Sequence, residues 1–249
     1  MTHCIASGVF LSNFLGTVSS VFWFFVLLPQ LYTNYKNKNS DAVSLMLILL
    51  WIFGDFLSMF SAQVKNISPI VTYIAIYHII LGAVFAIQIV YYRYYKLANR
   101  YIQIFEEFEE TSSEVEDYDN IFLLTNQEQL FIGLSTLFVF IVKLYFYLNP
   151  TNSIVLADTV AWATTFIFIA SRFPQILLNV RRKTTEGLSV YSFVTLNVAN
   201  YLFLASILVN VCDVTDTNLF LVNNLQWILG AGCTSLLDIV ILYQFWLYS

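Results

Sequence analysis

The chain is short of charge: 249 residues carry only 11 Lys and Arg and 16 Asp and Glu. That is too little polar surface to coat a water-soluble globule of this length. The few basic residues form no continuous basic face, which sets nucleic-acid binding aside. Cysteine is scarce as well. Cys4, Cys212 and Cys233 have no metal-ligand spacing and make no disulfide framework, although a Cys4–Cys212 bridge on one side of a membrane stays open. No nucleophile stands beside a base, and there is no metal-ligand set and no phosphate-binding loop. An enzyme is therefore not expected, nor is a cofactor other than a coupled proton. Proline is rare too, with four in the chain, and two of the four are followed by glutamine: Pro29-Gln30 and Pro174-Gln175.

What is abundant is hydrophobic surface, 59% of residues, with 18% aromatic. Seven apolar stretches approach or exceed the roughly 20 residues that a helix needs to cross a bilayer. They cover residues 9–35, 42–62, 67–92, 129–148, 154–180, 188–211 and 222–248. The first is too long for a cleaved signal peptide and lacks a basic start, so it counts as the first membrane helix. The basic residues then orient the chain. Lys36 and Lys38, then Arg93, Lys96 and Arg100, then Arg181, Arg182 and Lys183 fall in loops on one side, and the positive-inside rule makes that side the cytosol. The N-terminus is expected to be lumenal and the C-terminus cytosolic. Asn66-Ile67-Ser68 is a glycosylation sequon on the lumenal side.

The segment 93–128 is rich in acid, including Glu106, Glu107, Glu109, Glu110, Glu114, Glu116, Asp117 and Asp119. It reads either as a solvated, partly helical cytosolic connector or as the carrier of a sorting signal. Asp119 through Leu123-Leu124 fits the acidic dileucine pattern recognised by adaptor proteins, and Tyr118 to Ile121 fits a tyrosine-based one. Leu123-Leu124 is equally suited to begin the fourth helix.

Two halves of the chain align at a fixed offset. A shift of 145 places Pro29 on Pro174, Gln30 on Gln175, Asn34 on Asn179, Lys38 on Lys183 and Ser44 on Ser189. The same shift sets Asp41 against Glu186 and Asp55 against Asn200, while a shift of 156 carries Gln88 to Gln244 and Tyr92 to Tyr248. The expected fold is all-α. Residues 1–92 and 149–249 form two parallel three-helix repeats, and the fourth helix, 129–148, lets both insert in the same orientation.

These motifs resemble the PQ-loop proteins. The resemblance rests on Pro29-Gln30-Leu31, Asn34, Lys38, Ser44, Trp51 and Gly54-Asp55, and on Ser171-Arg172-Phe173-Pro174-Gln175, Asn179, Lys183, Gly187-Leu188-Ser189, Asn197 and Asn200-Tyr201. With the last helix, Leu229-Gly230 through Asp238 to Gln244 and Tyr248, it is similar above all to the lysosomal and vacuolar cationic amino acid transporters. The resemblance implies a seven-helix 3+1+3 fold like that of the SWEET proteins. It also implies export of lysine, arginine and histidine from an acidic lumen, favoured by that acidity. Cystine or sugar transport, or a nutrient-sensing role through the Lys36–Asp41 or Arg181–Glu186 loop, remain alternatives. The internal repeat argues against a seven-helix receptor.

An ionisable group at membrane depth is costly and reads as functional by default. Asp55 and Asp238 lie well inside their helices and are expected to meet a cationic solute or a proton; Asp158 sits nearer an entrance. Asn197 and Asn200 share a helix face and, with Tyr201, form a candidate polar contact for substrate, or else simple interhelical hydrogen bonds. Pro29 and Pro174 are expected to hinge the bundles, with Gln30 and Gln175 holding the backbone groups that proline frees. Arg172 is either a gate partner for an acid or a snorkelling side chain. The family's aspartate six residues before the glutamine of its third helix is missing here: Gly82 precedes Gln88. His78, one turn earlier, is the candidate to replace it.

Overall fold

The interior of this chain mixes an apolar core, with Leu45, Ile48, Phe85, Ile89, Leu196 and Ile241 buried, with many buried polar side chains, while large apolar side chains cover much of the outside. A computed structural model describes residues 2–64, 69–110, 124–148, 153–211 and 217–248, nearly all of them helical. The elements are α1 (Thr2–Phe25), α2 (Leu28–Asn37), α3 (Leu45–Val64), α4 (Pro69–Glu110), α5 (Asn126–Leu148), α6 (Ser153–Ala170), α7 (Arg172–Arg182), α8 (Val190–Val211) and α9 (Thr217–Leu247). Asn34, Gln175, Asn179 and Asp238 are fully buried, while Phe10, Ile87, Phe166 and Trp246 stand at the surface. Hydrocarbon offers no penalty for such an exterior, and the interior polar groups must find partners in one another.

Among the described residues, six segments are long and apolar enough to cross a membrane: Gly8–Asn37, Leu45–Val64, Thr72–Gln103, Val155–Arg182, Val190–Val209 and Asn224–Leu247. The first and fourth are each two helices in line, α1 with α2 and α6 with α7. Both break just before a Pro-Gln pair. α1 stops at Phe25, and α2 begins at Leu28 with Pro29 in its first turn, where the missing N–H costs nothing. Ser171 interrupts the second span in the same way.

The six spans close into a ring in the order α1, α8, α9, α6, α3, α4. Each repeat supplies three consecutive members with its third helix between the other two. The repeats therefore meet at two interfaces, α1 on α8 and α3 on α6. Those interfaces are reciprocal: Ser12 Oγ donates to Ser206 O at 2.7 Å, and Ser61 Oγ donates to Ala157 O at 3.0 Å. Close approach at α3 on α6 needs Gly54, where an added Cβ would lie 2.6 Å from Phe168 Cε1. The inverter helix α5 packs against α3, with Phe131 and Phe138 edge-on to Phe53.

The helix bounds depart from the expected apolar stretches at several ends, α1 starting at Thr2 and α9 at Thr217, and most of all in α4. The third membrane helix does not end near residue 92, because α4 runs on to Glu110 and takes up the first half of the acidic segment. Periodicity of hydrophobicity marks where a helix leaves the membrane, whereas hydrogen bonding lets it continue into water. This extension is tied down by ion pairs. Arg93 meets Glu128 at 3.0 Å, and Lys96 pairs with Asp41. Thr125 and Glu128 form a reciprocal capping box that starts α5. The sorting motif at 119–124 up to Phe122-Leu123, the sequon at Asn66 and Cys212 lie outside the described residues, as does the side chain of Cys4.

Candidate functional site

Lys36, Lys38, Arg181, Arg182 and Lys183, in the last turns of α2 and α7 and at their C-caps, define one end of the ring, called here the basic end. It is sealed by a reciprocal clamp. Gln30 Nε2 donates to Gly187 O at 2.9 Å, and Gln30 Oε1 accepts from Ser189 N at 2.5 Å. At the matching positions of the other repeat, Gln175 Nε2 donates to Ala42 O and Gln175 Oε1 accepts from Ser44 N, both at 2.8 Å. Each glutamine thus holds the loop of the opposite repeat. That corrects the expectation that Gln30 and Gln175 cap backbone freed in their own helices. Both glutamines are buried where the repeats meet, and the loop of the opposite repeat offers the backbone groups within reach.

Each clamp is backed by two more amides. Gln30 Nε2 also reaches Asn34 Oδ1 at 2.8 Å, and Asn34 Nδ2 donates to Gln88 Oε1 at 3.1 Å. In the second repeat Gln175 reaches Asn179 at 2.9 Å, and Asn179 donates to Gln244 at 2.8 Å. Both short helices end in a left-handed residue, Lys38 at φ 49° and Lys183 at φ 54°. Gly187, at φ 85°, is the acceptor loop's own left-handed residue and can only be glycine-like at low cost.

Beyond the clamp, inside the ring, lies a cavity of ≈ 450 Å³. Its lining stops at the basic end with Leu27, Ile48 and Arg172, and at the other end reaches Ala62, Ile74, Ile207 and Asn224. Those four are within a turn or two of their helix ends, so the cavity runs toward the end away from the basic loops.

The backbone freed at the breaks is satisfied differently in the two repeats. In the first, His78 Nε2 bonds Trp23 O at 3.0 Å and Tyr77 donates its hydroxyl to Phe24 O at 2.7 Å. In the second, Arg172 Nη1 and Ser171 Oγ donate to Phe168 O at 2.9 and 2.7 Å. Because a carbonyl can only accept, His78 carries its hydrogen on Nε2. Its Nδ1 then faces Asp55 Oδ1 at 3.9 Å. Two lone-pair atoms oppose each other there while His78 is neutral, and one added proton turns the contact attractive.

Asp55 and His78 line the cavity from α3 and α4, and Asn200, which donates to Thr234 Oγ1 at 3.3 Å, lines it from α8. Asp238 does not line it. It sits behind Arg172, whose Nε meets Asp238 Oδ1 at 3.2 Å, with both side chains almost wholly buried. Arg172 is thus the partner of an acid and not a snorkelling residue. Asn197 is buried behind the wall, donating to Phe193 O at 3.1 Å. Tyr201 is not at the site: it is 49% exposed on the outer face of α8. It lies about 100° round the helix from Asn200, and only one of those two directions faces the cavity. Asp158 is exposed.

Gly82 also lines the cavity, and a Cβ there would lie 2.8 Å from Ile52 Cγ1. Ile52 matches Asn197 at the offset of 145, so the missing acid goes with an apolar neighbour that fills its space. Sequence reasoning passed over Ser19 and Ser20 and their counterparts Thr164 and Thr165, all of which line the cavity. Their signal was present, since hydroxyl pairs in apolar helices match at the same offset.

Two parallel three-helix repeats around one cavity, joined through an inverter helix, define a membrane protein of the 3+1+3 class. A family model for the PQ loop repeat matches residues 11–71 and 156–216, and the chain is a PQ-loop repeat protein. Over nearly its whole length it is similar to a vacuolar histidine transporter of Saccharomyces cerevisiae, at 23% identity over 96% of this chain and 92% of the relative. A vacuolar lysine transporter of the same yeast is 25% identical over 96% and 94%. The human lysosomal amino acid transporter 1 homolog is 26% identical over 94% and 81%. Each of these relatives is a transporter, a class without enzymes. A eukaryotic SWEET transporter shares the fold, with a TM-score of 0.50 at 11% identity over 98% of this chain and 96% of that one.

Proposed function

We propose that the protein carries cationic amino acids, lysine, arginine and histidine among them, out of the lysosome or vacuole into the cytosol. The observation that carries this reading is Asp55, a carboxylate on the cavity wall whose neighbour is a histidine 3.9 Å away. A carboxylate at that depth is kept only if a cation or a proton meets it. The names of the vacuolar and lysosomal relatives support the cargo and the compartment. The basic loops support a cytosolic C-terminus and a lumenal N-terminus, which makes the described state the lumen-facing one of an alternating-access cycle. Pro29 and Pro174 serve as the hinges, and lumenal acidity favours transport through a proton shared by Asp55 and His78.

Radiolabelled lysine and arginine uptake into proteoliposomes, acidic outside and neutral inside, tests the reading. Uptake above protein-free vesicles is expected, and its absence from intact protein rejects the function. Asp55→Asn is expected to lower that flux by about a hundredfold, the scale of one lost buried charge contact of about 3 kcal/mol.

A further inference from the structure

We propose that Arg172 forms a carboxylate subsite at the floor of the cavity, so that the solute is recognised as an α-amino acid and not simply as a cation. This rests on the reading above, which assigns the positive group of the solute to Asp55.

Arg172 is the one permanently charged cation in the cavity lining among the described residues. Its guanidinium is fixed on several sides. Nε is taken by Asp238 Oδ1 at 3.2 Å, and Nη1 by Phe168 O and Ser171 Oγ, both at 2.9 Å. The indole of Trp51 lies 5.0 Å from the guanidinium carbon, and Trp51 Nε1 is itself tied to Ser171 Oγ at 2.9 Å. None of these bonds uses Nη2. Asp238 lies behind the wall while Arg172 is part of it, so the anion holds the cation in place from the far side.

A guanidinium stays charged at any physiological pH, and its planar fork suits a carboxylate. Asp238 is a positioning residue in this scheme and does not touch the solute. Asp55 is four residues beyond Trp51, one helical turn or about 6 Å along α3. Arg172 of α7 lies against the Trp51 ring and Asp55 follows Trp51 by one turn of α3, so an anion receptor and a cation receptor line the same cavity, the arrangement that a zwitterion needs. The feature belongs to the second repeat alone, since Leu27 occupies the matching place in the first.

Binding of four probes to the purified full-length protein decides the matter: L-lysine, its methyl ester, 1,5-diaminopentane and L-norleucine. The expected result is that lysine binds at least about tenfold more tightly than the ester or the diamine, the effect of one charge-assisted contact. Arg172→Gln alone leaves Asp238 buried without a partner and is liable to misfold, so the decisive variant is Arg172→Gln with Asp238→Asn. In it lysine affinity is expected to fall to that of the diamine, with diamine affinity unchanged. Equal binding of lysine, ester and diamine by the native protein overturns the subsite while leaving the cation reading intact. So does a double variant that weakens lysine and diamine by the same factor. Norleucine binding as tightly as lysine overturns the role of Asp55 but not the subsite, and no binding of lysine by folded protein overturns both.

Discussion

Individual side chains break the symmetry that the repeat imposes. Asp55 has Asn200 as its counterpart, Leu27 matches Arg172, and the pair Ile52 and Gly82 matches Asn197 and Asp238. One repeat presents an exposed acid to the cavity, and the other presents a cation whose acid is hidden. The contact between His78 and Asp55, 3.9 Å apart, is one that an added proton alters. With Nε2–H committed to Trp23 O, uptake of a proton at Nδ1 converts a repulsion into an ion pair. His78→Gln keeps a donor for Trp23 O but cannot gain that charge. Uptake by the variant is expected to lose the pH dependence that a proton shared by Asp55 and His78 gives the native protein, measured by comparing the two pH profiles of lysine uptake. A native-like pH profile in the variant removes His78 from proton coupling. Little of this was legible in sequence. Asp55, His78 and Asn200 stood out because polar residues in apolar helices are rare, but Asn197 and Tyr201 were grouped with them by helical spacing, by adjacency and by the family resemblance. Which side of a helix faces the cavity depends on its neighbours, and spacing does not carry that information.

Among the elements, the broken helices and the α3 on α6 contact control how the repeats sit against each other. Gly54 lets α3 approach α6 until the Phe168 ring occupies the space of a side chain. Gly54→Ala is expected to destabilise the protein by about 1–3 kcal/mol, the usual cost of overpacking, and to lower its thermal midpoint. Phe168→Leu in the same chain is expected to restore most of that loss; no recovery would place the strain elsewhere. The breaks at residues 26–27 and 171 were readable from the two prolines, because a missing N–H and a ring clash disrupt any helix. The continuation of α4 to Glu110 was not, since the ion pairs of Arg93 and Lys96 that steady it join residues 35 and 55 positions apart.

For the molecule as a whole, the cross-repeat clamp is the structure that closes one end of the cavity. Gln30→Ala removes the donor to Gly187 O and the acceptor for Ser189 N, and Gln175→Ala does the same for Ala42 and Ser44. Each loss leaves buried backbone groups unpaired at about 1–3 kcal/mol apiece. Either substitution is therefore expected to shift the protein toward opening at the basic end. The measurement is the labelling rate of a cysteine placed at Ile48, which should rise severalfold for a reagent added from that side, and by similar amounts for the two variants. Labelling unchanged in both would mean that the clamp does not seal the cavity.

The sequence by itself determined the membrane class, the duplication and the inverter helix, because hydrophobic run length and a fixed offset are properties of order along the chain. Only the tertiary structure decided that the glutamines reach across to the opposite repeat, that Arg172 shields Asp238, and that Asp55 is left facing the cavity. Those outcomes depend on which helices become neighbours in the ring. Where matching positions carry different residues, as at Asp55 and Asn200 or Leu27 and Arg172, the sequence already records the difference, and packing alone shows which of them reach the cavity.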